Sequence, residues 1–240
     1  MEVIKLETID STNGWAKDNI ENLSDRTIVL EKKQTSGRGR LNRSWVDLGD
    51  NNLFLSFVLK PSDRFNEFYP NLTQYLSVVL VKTIESYGIS AQIKWPNDVL
   101  ISGKKIAGIL SETVMQGQIL KGIVLGLGVN LNVEQSKLSL VSDKIITSLN
   151  LEVGKNIDLE FFVKTLCEEF FRNYDEFLGK GFELIADDYV KKLCVLNKPI
   201  EVQVFNRVEK GLAKEINSKG ELILEKDNNE EIVLTIGDIL

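Results

Sequence analysis

A segment rich in glycine and arginine, at 34–45, is the first place in this chain where side chains could do chemistry. It reads Gln-Thr-Ser-Gly-Arg-Gly-Arg-Leu-Asn-Arg-Ser-Trp. Glycines let a backbone approach a ligand closely with its N–H groups exposed, and arginine forks bind carboxylate or phosphate. In a chain of net charge −6, this local positive charge predicts a specific anionic ligand. A flexible basic loop is the alternative, but Gln34 and Trp45 add an amide and a flat apolar wall, which favours a binding site.

A second candidate lies at 94–98, where Lys-Trp-Pro-Asn-Asp follows a predicted strand. Pro96 and Asn97 would turn the backbone sharply and place the carboxylate of Asp98 beside Lys94. A hard oxygen ligand at this position suits a Mg²⁺ ion that bridges nucleotide phosphates. The alternative is a turn in which Asp98 only caps its own backbone, and for this segment alone that alternative is favoured.

Two further segments fall on predicted strands. Lys105 enters an apolar strand beside Ala107 and Gly108, which predicts that its ammonium group projects into a pocket while Lys104 faces solvent. A pair of surface lysines is the alternative. The sequence Gly-Leu-Gly-Val-Asn that ends at Asn130 lacks the third glycine of a dinucleotide-binding fingerprint, and no helix clearly follows it. We therefore predict a strand whose glycines let another chain or a ligand pack closely.

The residues that the chain lacks restrict its chemistry. Histidine is absent, which excludes Ser-His-Asp hydrolysis, histidine-assisted cysteine chemistry and most zinc sites. Lysine, arginine, carboxylates, backbone amides and a hard cation remain, and these are the groups that phosphoryl and nucleotidyl transfer use. The two cysteines, Cys167 and Cys194, lie among apolar residues and are predicted to be buried reduced thiols.

Length and composition indicate the class of protein. A chain of 240 residues, 43% hydrophobic and 27% charged, predicts a globular protein with one sizeable core and a small appended module. No apolar run approaches the roughly 20 residues of a membrane span, and the first residues lack the layout of a signal peptide. The net negative charge argues against a nucleic-acid partner. We expect a cytoplasmic protein that binds neither membrane nor nucleic acid.

Hydrophobic periodicity places these segments on an α+β fold. The predicted strands of the first part are 3–6, 27–33, 53–59, 91–95, 99–101, 105–115 and 119–129, the last two forming a hairpin. Cap-forming residues at 10–13 predict a helix start, and apolar spacing predicts helices at 72–87, 159–177 and 182–192. Short alternating strands at 200–205, 211–216, 221–225 and 231–236 predict a small antiparallel barrel. The predicted domains are therefore 1–195 and 196–240.

The order of the motifs is more specific than any one of them. From 11 to 132 the chain carries Ser-Thr-Asn, Gly-Arg-Gly-Arg, Lys-Trp-Pro-Asn-Asp, Lys-Ile-Ala-Gly-Ile-Leu and Gly-x-Gly-x-Asn, and this series resembles the biotin protein ligases. The resemblance implies a mixed central β-sheet packed with helices, the class II aminoacyl-tRNA synthetase-like catalytic fold. The tail from Leu196 resembles that family's small C-terminal SH3-like β-barrel. Because the chain starts at the catalytic motifs, it resembles the monofunctional form without an N-terminal DNA-binding domain.

The resemblance also implies roles for individual residues. Biotin would be bound by Ser11, Thr12, Asn13, Gln34, Gly37, Arg38, Gly39, Arg40, Trp45, Lys105 and Gly108. ATP would be bound by Arg38, Arg40, Lys94, Trp95, Asn97, Lys105 and Asn130. Arg40 and Lys105 would be the catalytic residues, and Asp98 would help to hold Mg²⁺.

The implied reaction takes ATP and biotin as substrates. The biotin carboxylate attacks the α-phosphorus to give biotinyl-5′-AMP and pyrophosphate, and a lysine of a biotin carboxyl carrier protein or domain then displaces AMP. Two anions meet in the first step, and Lys105, Arg40 and Mg²⁺ would offset their repulsion. The family often continues Gly-Arg-Gly-Arg with Arg-Gly, whereas Leu41 and Asn42 stand here. Arg40 is retained, so we expect activity, while loop ordering and adenylate retention stay open.

Two other functions are alternatives to this interpretation. A lipoate–protein ligase shares the fold and the adenylate chemistry, but should lack the Gly-Arg-Gly-Arg segment. A non-enzymatic biotin or nucleotide sensor that controls transcription is the second, and the net acidity argues against direct operator binding. The sequence leaves the acceptor, the role of the C-terminal domain and the oligomeric state open, although an edge strand of the central sheet could pair two subunits in a homodimer.

Overall fold

The computed structural model describes residues 2–40, 43–49, 52–62, 64–141 and 145–240. Its larger sheet has seven strands in the order β1-β2-β5-β9-β8-β7-β6. Their bounds are β1 Val3–Ile9, β2 Thr27–Gln34, β5 Leu53–Leu59, β6 Gln92–Lys94, β7 Asp98–Ile101, β8 Lys104–Gln116 and β9 Ile119–Val129. The pair β1–β2 is parallel and the other pairs are antiparallel, so the predicted mixed central sheet is confirmed. The hairpin predicted between β8 and β9 is also confirmed, with Gly117 at positive φ in its turn.

Strand β5 is an interior strand of this sheet, between β2 and β9, and is buried along its whole length. A strand covered on both faces is expected to be a continuous apolar run, and Leu-Phe-Leu-Ser-Phe-Val-Leu fits except for Ser56. Phe57 packs into the large core and Val58 into a smaller cluster on the opposite face. This alternation shows that the sheet separates two apolar layers, as the two-residue period of a strand requires.

The helices divide between those two faces. They are α1 Thr12–Asp18, α2 Leu72–Glu85, α3 Leu149–Val153, α4 Leu159–Arg172, α5 Tyr174–Lys180 and α6 Ala186–Lys192. Helix α1 contributes Ala16 to the smaller cluster, whereas α2 and α4 pack together in the large core. None of the helices in the described part of the chain combines the length and the hydropathy that crossing a lipid bilayer requires.

Two of the predicted helices differ from the structure. The helix predicted at 159–177 is broken at Asn173, which has φ −118° and ψ 10° and ends α4 before α5 begins. Asparagine is a poor helix former because its side chain competes for backbone groups, so a break at this position is physically reasonable. The helix predicted at 182–192 begins with a 3₁₀ turn over Gly181–Leu184, and only α6 is α-helical.

The C-terminal strands form a separate antiparallel sheet in the order β13-β12-β11-β10-β14. Their bounds are β10 Pro199–Val204, β11 Arg207–Ile216, β12 Leu222–Glu225, β13 Glu231–Leu234 and β14 Asp238–Ile239. Between the described residues of β13 and β14 there is no ladder, so the sheet is open and the predicted SH3-like barrel is not confirmed. The physical reason is that β14 is two residues long and pairs only with β10, leaving β13 as an edge.

The C-terminal sheet packs against the start of α2. Asn71 donates from Nδ2 to the carbonyl of Lys219 at 2.9 Å, and Gln74 donates from Nε2 to the carbonyl of Gly220 at 2.7 Å. One apolar cluster includes residues of both sheets. The division into 1–195 and 196–240 therefore stays a prediction.

Candidate functional site

Three glycines form a flat floor on the face of the sheet that carries α1. Gly108 on β8 pairs directly with Gly128 on β9, and Gly126 follows two residues away on the same face. A Cβ atom on Gly126 would lie 2.2 Å from Asn13 Oδ1, and one on Gly128 would lie 2.8 Å from Cε2 of Trp45. Side chains therefore rest directly on the backbone here; the glycines of β9 were predicted to admit another chain or a ligand, and the structure places Asn13 and Trp45 of this chain against them.

The start of α1 forms one wall above this floor. Ser11 is the N-cap of the helix and accepts a hydrogen bond from the backbone N–H of Gly14, so the predicted helix start is confirmed. Ser11, Thr12 and Asn13 are all buried. Gln34, at the end of β2, accepts a hydrogen bond at Oε1 from the backbone N–H of Thr12 at 2.9 Å. Four polar side chains are thus gathered along one wall of the pocket.

The Gly-Arg segment forms the opposite wall. Two short strands, β3 Gly37–Arg38 and β4 Ser44–Trp45, pair in an antiparallel hairpin. Gly37 must be small because a Cβ would lie 2.6 Å from the carbonyl oxygen of Trp45. No strand was predicted in this segment, so the hairpin is a feature that the prediction missed. Leu41 and Asn42, the residues that depart from the family pattern, lie outside the described residues.

Arg40 is held between the two sheets. Its guanidinium donates to Asn97 Oδ1 at 2.9 Å and to the carbonyl of Gly237 at 3.1 Å, and it lies 3.4 Å from Asp238 Oδ1. Burial lowers the pKa of Arg40, and the Asp238 carboxylate acts in the opposite direction. Arg43 lies 3.1 Å from the other oxygen of Asp238, an ion-pair distance without hydrogen-bond alignment.

Lys105 and Asp98 form an ion pair in the pocket. The distance from Nζ to Oδ1 is 2.6 Å, and the two side chains are only 14% and 20% exposed. The ammonium of Lys105 also lies 5.3 Å from the centre of a Trp45 ring, a cation–π distance. Lys105 therefore projects into a pocket as predicted. Lys104 is not simply a solvent-facing neighbour, because its ammonium lies 2.5 Å from Glu152 Oε1.

Two consecutive residues, Asn97 and Asp98, contact the two cationic side chains of the pocket, Arg40 and Lys105. Asn97 accepts from Arg40 and itself donates from Nδ2 to the carbonyl of Ile109 at 2.9 Å, while Asp98 holds Lys105. The sharp turn after β6 thus brings two positive charges to one side of the pocket. This arrangement could bind a carboxylate and a phosphate together.

Most of the predicted site residues meet in a single pocket. Its lining includes Ser11, Thr12, Asn13, Gln34, Arg38, Gly39, Arg40, Trp45, Asn97, Asp98, Lys105 and Gly108. Trp95 lies in a groove between the two sheets that adjoins the pocket at Arg40 and Asn97. Lys94 lies in β6, and Asn130 is buried with Nδ2 donating to the carbonyl of Thr147 at 3.0 Å; neither lines the pocket or the groove. Their roles toward ATP stay predictions.

Comparison with known proteins gives the family. Residues 5–130, slightly more than half of the chain, match the biotin/lipoate A/B protein ligase family. The chain belongs to this family. The ligase is 31% identical over 225 residues to the bifunctional ligase/repressor BirA of Bacillus spizizenii, covering 93% of this chain and 69% of that protein. It is 29% identical to the biotin–[acetyl-CoA-carboxylase] ligase of Paracoccus denitrificans, covering 95% of this chain and 96% of the relative.

Solved structures give the same fold for this ligase. The biotin protein ligase of Aquifex aeolicus, in complex with biotin and ATP, superimposes with a TM-score of 0.82 at 24% identity. The match covers 100% of this chain and 98% of that one. At this identity the likeness shows the fold, and the predicted α+β class with a mixed central sheet is confirmed.

Several residues of the site in this ligase were missed by sequence reasoning. Arg43 and Asp238 line the pocket, and Ser56 and Glu112 support it from beneath. Ser56 could have been found, because it is the one polar residue in the otherwise apolar strand β5. Asp238 is likewise the one charged residue in the apolar tail Ile-Gly-Asp-Ile-Leu, but it lies more than a hundred residues from the other site residues in sequence, so nothing linked it to them.

Proposed function

We propose that this chain activates biotin with ATP, forming biotinyl-5′-AMP and pyrophosphate, and then transfers biotin to a lysine of a carrier domain. The observation that carries the proposal is the convergence of Lys105 and Arg40 on a pocket lined by the buried polar residues at the start of α1. Relatives named as biotin–[acetyl-CoA-carboxylase] ligases from two bacteria support it.

The geometry suits the first half-reaction. An oxygen of the biotin carboxylate attacks the α-phosphorus of ATP, and the bond from that phosphorus to the oxygen bridging to the β-phosphorus breaks, releasing pyrophosphate. Lys105 would bind the carboxylate oxygen and an α-phosphate oxygen, and Arg40 would bind the same two groups from the hairpin side. Fixed positive charges of this kind stabilise the developing negative charge because they need no reorganisation during the reaction.

We propose that ATP enters with Mg²⁺ and that Asp98 supplies one oxygen toward the ion. Among the described residues no group of three or more acidic, cysteine or histidine side chains could hold a metal on its own. The residues fit Mg²⁺ only together with nucleotide phosphates, as this ion commonly binds through one or two carboxylates and keeps several waters. Oδ1 of Asp98 binds Lys105, and Oδ2 is the oxygen that we propose for the ion.

In the second half-reaction, the amine of the acceptor lysine attacks the carbonyl carbon of the mixed anhydride. The bond from that carbon to the phosphate oxygen breaks, AMP leaves, and the amine loses a proton to solvent. The chain needs no nucleophile of its own for this step. Both cysteines lie outside the pocket lining, and burial raises the pKa of Cys167 to about 12, which keeps it a neutral thiol. A biotin carboxyl carrier domain is the acceptor that we propose.

The polar residues of the pocket favour biotin over lipoate. A ureido ring offers both N–H groups and a carbonyl oxygen, and hydroxyls and amides from Ser11, Thr12 and Gln34 can match both. The dithiolane ring of lipoate offers no N–H group and no carbonyl oxygen, so the sides of these groups that face the ligand would lack partners, at a cost of up to about 1–3 kcal/mol for each one that lipoate shields from water. The same residues that made the sequence resemble biotin ligases therefore also explain the choice of acid.

Transfer to a purified biotin carboxyl carrier domain tests the proposal. The chain, ATP, Mg²⁺ and biotin are incubated with the carrier domain, and mass spectrometry follows the addition of one biotinyl group. We expect Lys105→Ala to slow the transfer by at least about 100-fold, whereas Lys104→Ala, the neighbouring lysine paired with Glu152, should stay within about threefold. Absence of any transfer by the unsubstituted chain, or equal rates for the two variants, would contradict the proposal.

A further inference from the structure

A chain of hydrogen bonds leads from a half-buried ion pair to the pocket. Lys17 on α1 pairs with Glu112 on β8, and their side chains are 25% and 24% exposed. Asn13, one helical turn before Lys17, donates from Nδ2 to Glu112 Oε2 at 2.9 Å and to the carbonyl of Leu110 at 3.2 Å. Both hydrogens of its amide are therefore used.

This series of hydrogen bonds continues through Ser56 on β5, beneath the pocket. Ser56 Oγ lies 2.6 Å from Asn13 Oδ1 and 2.8 Å from Thr12 Oγ1. All three residues are less than 5% exposed, and Thr12 lines the pocket. The series Lys17, Glu112, Asn13, Ser56, Thr12 thus links the protein surface to the wall where the acid would bind.

The carboxylate of Glu112 and the carbonyl of Leu110 both accept from Asn13, and together they fix the direction of the hydrogen bonds in this series. An ionised carboxylate only accepts, so the Nδ2 atom of Asn13 must face it and Oδ1 must face Ser56. An amide oxygen only accepts, so Ser56 gives its single proton to Asn13. Because Ser56 has no second proton, Thr12 must donate its own hydroxyl proton to Ser56. The Thr12 hydroxyl therefore presents only lone pairs to the pocket.

Gln34 presents a hydrogen-bond donor to the pocket, next to the acceptor that Thr12 presents. Its Oε1 atom accepts from the backbone N–H of Thr12, so its Nε2 atom is the end left to donate. The pocket therefore offers an acceptor at Thr12 beside a donor at Gln34. An N–H group beside a carbonyl oxygen, as in a cyclic urea, is the complementary arrangement.

We propose that Glu112, held by Lys17, is a positioning residue that makes Thr12 an obligate acceptor and so selects an acid whose ring carries an N–H group. The inference rests on the proposed function and extends it to residues outside the pocket. Glu112 acts through Asn13 and Ser56, and it does not need to touch biotin.

The variant Glu112→Gln keeps the shape but adds a donor. Asn13 Nδ2 and Lys17 Nζ, the two groups facing Glu112, are both donors, so one of them meets the new amide N–H. If Asn13 turns over, it gives up its hydrogen bond to the carbonyl of Leu110, the series reverses and Thr12 donates into the pocket against the ligand N–H. The double variant Lys17→Met/Glu112→Gln removes the second donor, so the new amide can turn its oxygen toward Asn13 and its nitrogen toward solvent. Glu85→Gln is the matched control, because Glu85 pairs with Lys192 at 2.5 Å and similar exposure away from the pocket.

Calorimetry measures the Kd of biotin and of its two mono-N-methylated ureido derivatives for each variant, and pyrophosphate exchange separates KM from kcat. We expect Glu112→Gln to raise the Kd and KM for biotin by about tenfold or more, with kcat within about twofold. One of the two methylated derivatives lacks the N–H group that faces Thr12. For that derivative, the Kd values of the unsubstituted chain and of Glu112→Gln should agree within about twofold. The double variant should recover most of the biotin affinity, and Glu85→Gln should stay within about twofold.

Three results would overturn the inference: an unchanged Kd for biotin in Glu112→Gln, an equal loss for biotin and both derivatives, or no recovery in the double variant. The double variant decides the question even if the single variant folds poorly. If the unsubstituted chain itself fails to bind biotin, the proposed function fails and the inference falls with it. Normal biotin binding that is indifferent to Glu112 refutes the inference alone.

Discussion

Replacing Gly126 by alanine should damage the site through one added carbon atom. Gly126 lies in β9 without a positive φ, so alanine fits the backbone, and in a strand interior it would ordinarily be neutral or favourable. The new Cβ would lie 2.2 Å from Asn13 Oδ1, 2.7 Å from its Cγ and 2.9 Å from its Nδ2. The three nearest atoms all belong to the Asn13 amide, so we expect contact with this amide to decide the effect of the substitution.

The size of the effect follows from these distances. Non-bonded contacts are comfortable at about 3.5 Å, so the Asn13 amide must move by about 1 Å or more. Hydrogen-bond distances vary over only about 0.5 Å, so the bonds to Ser56, Leu110 and Glu112 cannot all survive. Each buried group left unpaired costs about 1–3 kcal/mol. We expect the loss to divide between stability and ligand binding, with the Kd for biotin raised on the order of 10–100-fold.

Two measurements check this prediction. Calorimetry gives the Kd for biotin, and urea unfolding gives the free energy of unfolding, which should fall by about 1–3 kcal/mol. Gly179→Ala is the control, because Gly179 lies in α5 with nothing within 4 Å of the added Cβ, and it should be neutral or slightly stabilising. An unchanged biotin Kd in Gly126→Ala would refute the idea that the Asn13 amide is held in place by the glycine floor.

Three further predictions concern charged residues. Arg40→Ala should slow biotin-dependent pyrophosphate exchange by about 100-fold or more without unfolding the chain, and an unchanged rate would disprove its assigned role. Asp98→Asn should raise the Mg²⁺ concentration for half-maximal rate, which an unaltered metal titration would contradict. Burial raises the pKa of Glu31 to about 7, above its usual value near 4.5, so the folded state holds the proton more tightly and stability should fall as pH rises from about 4.5 to 7. In Glu31→Gln that decline should be reduced, as urea unfolding at pH 5 and pH 8 would show; an identical decline would count against it.

Much of the fold could be predicted because local patterns agree with the tertiary structure. Strand β5 and helix α2 are strongly patterned elements, and their predicted positions match the structure closely. The break at Asn173 and the pairing of β14 could not be predicted in the same way. A single residue between two amphipathic stretches gives little signal, and a two-residue strand is defined by its partner rather than by its own sequence.

The site was predictable where a motif is contiguous and less so where the fold assembles it. Lys105 and Asp98 were both singled out, but their ion pair depends on the register between β7 and β8, which spacing alone does not give. Asp238 reaches Arg40 from the far end of the chain because the C-terminal sheet packs against the hairpin. Glu112 escaped notice because an acidic residue on a half-exposed strand is typical of a solvated face. Its part in orienting Asn13 is visible only in three dimensions.

ATP–pyrophosphate exchange with the purified chain tests the central claim most directly, with biotin, lipoate and no acid compared at the same Mg²⁺ concentration. The account predicts exchange that depends on biotin, with lipoate close to the rate without acid. Exchange that requires lipoate would keep the adenylate chemistry but refute the choice of acid. No exchange with either acid would contradict the claim that this pocket joins a carboxylate to the α-phosphate of ATP.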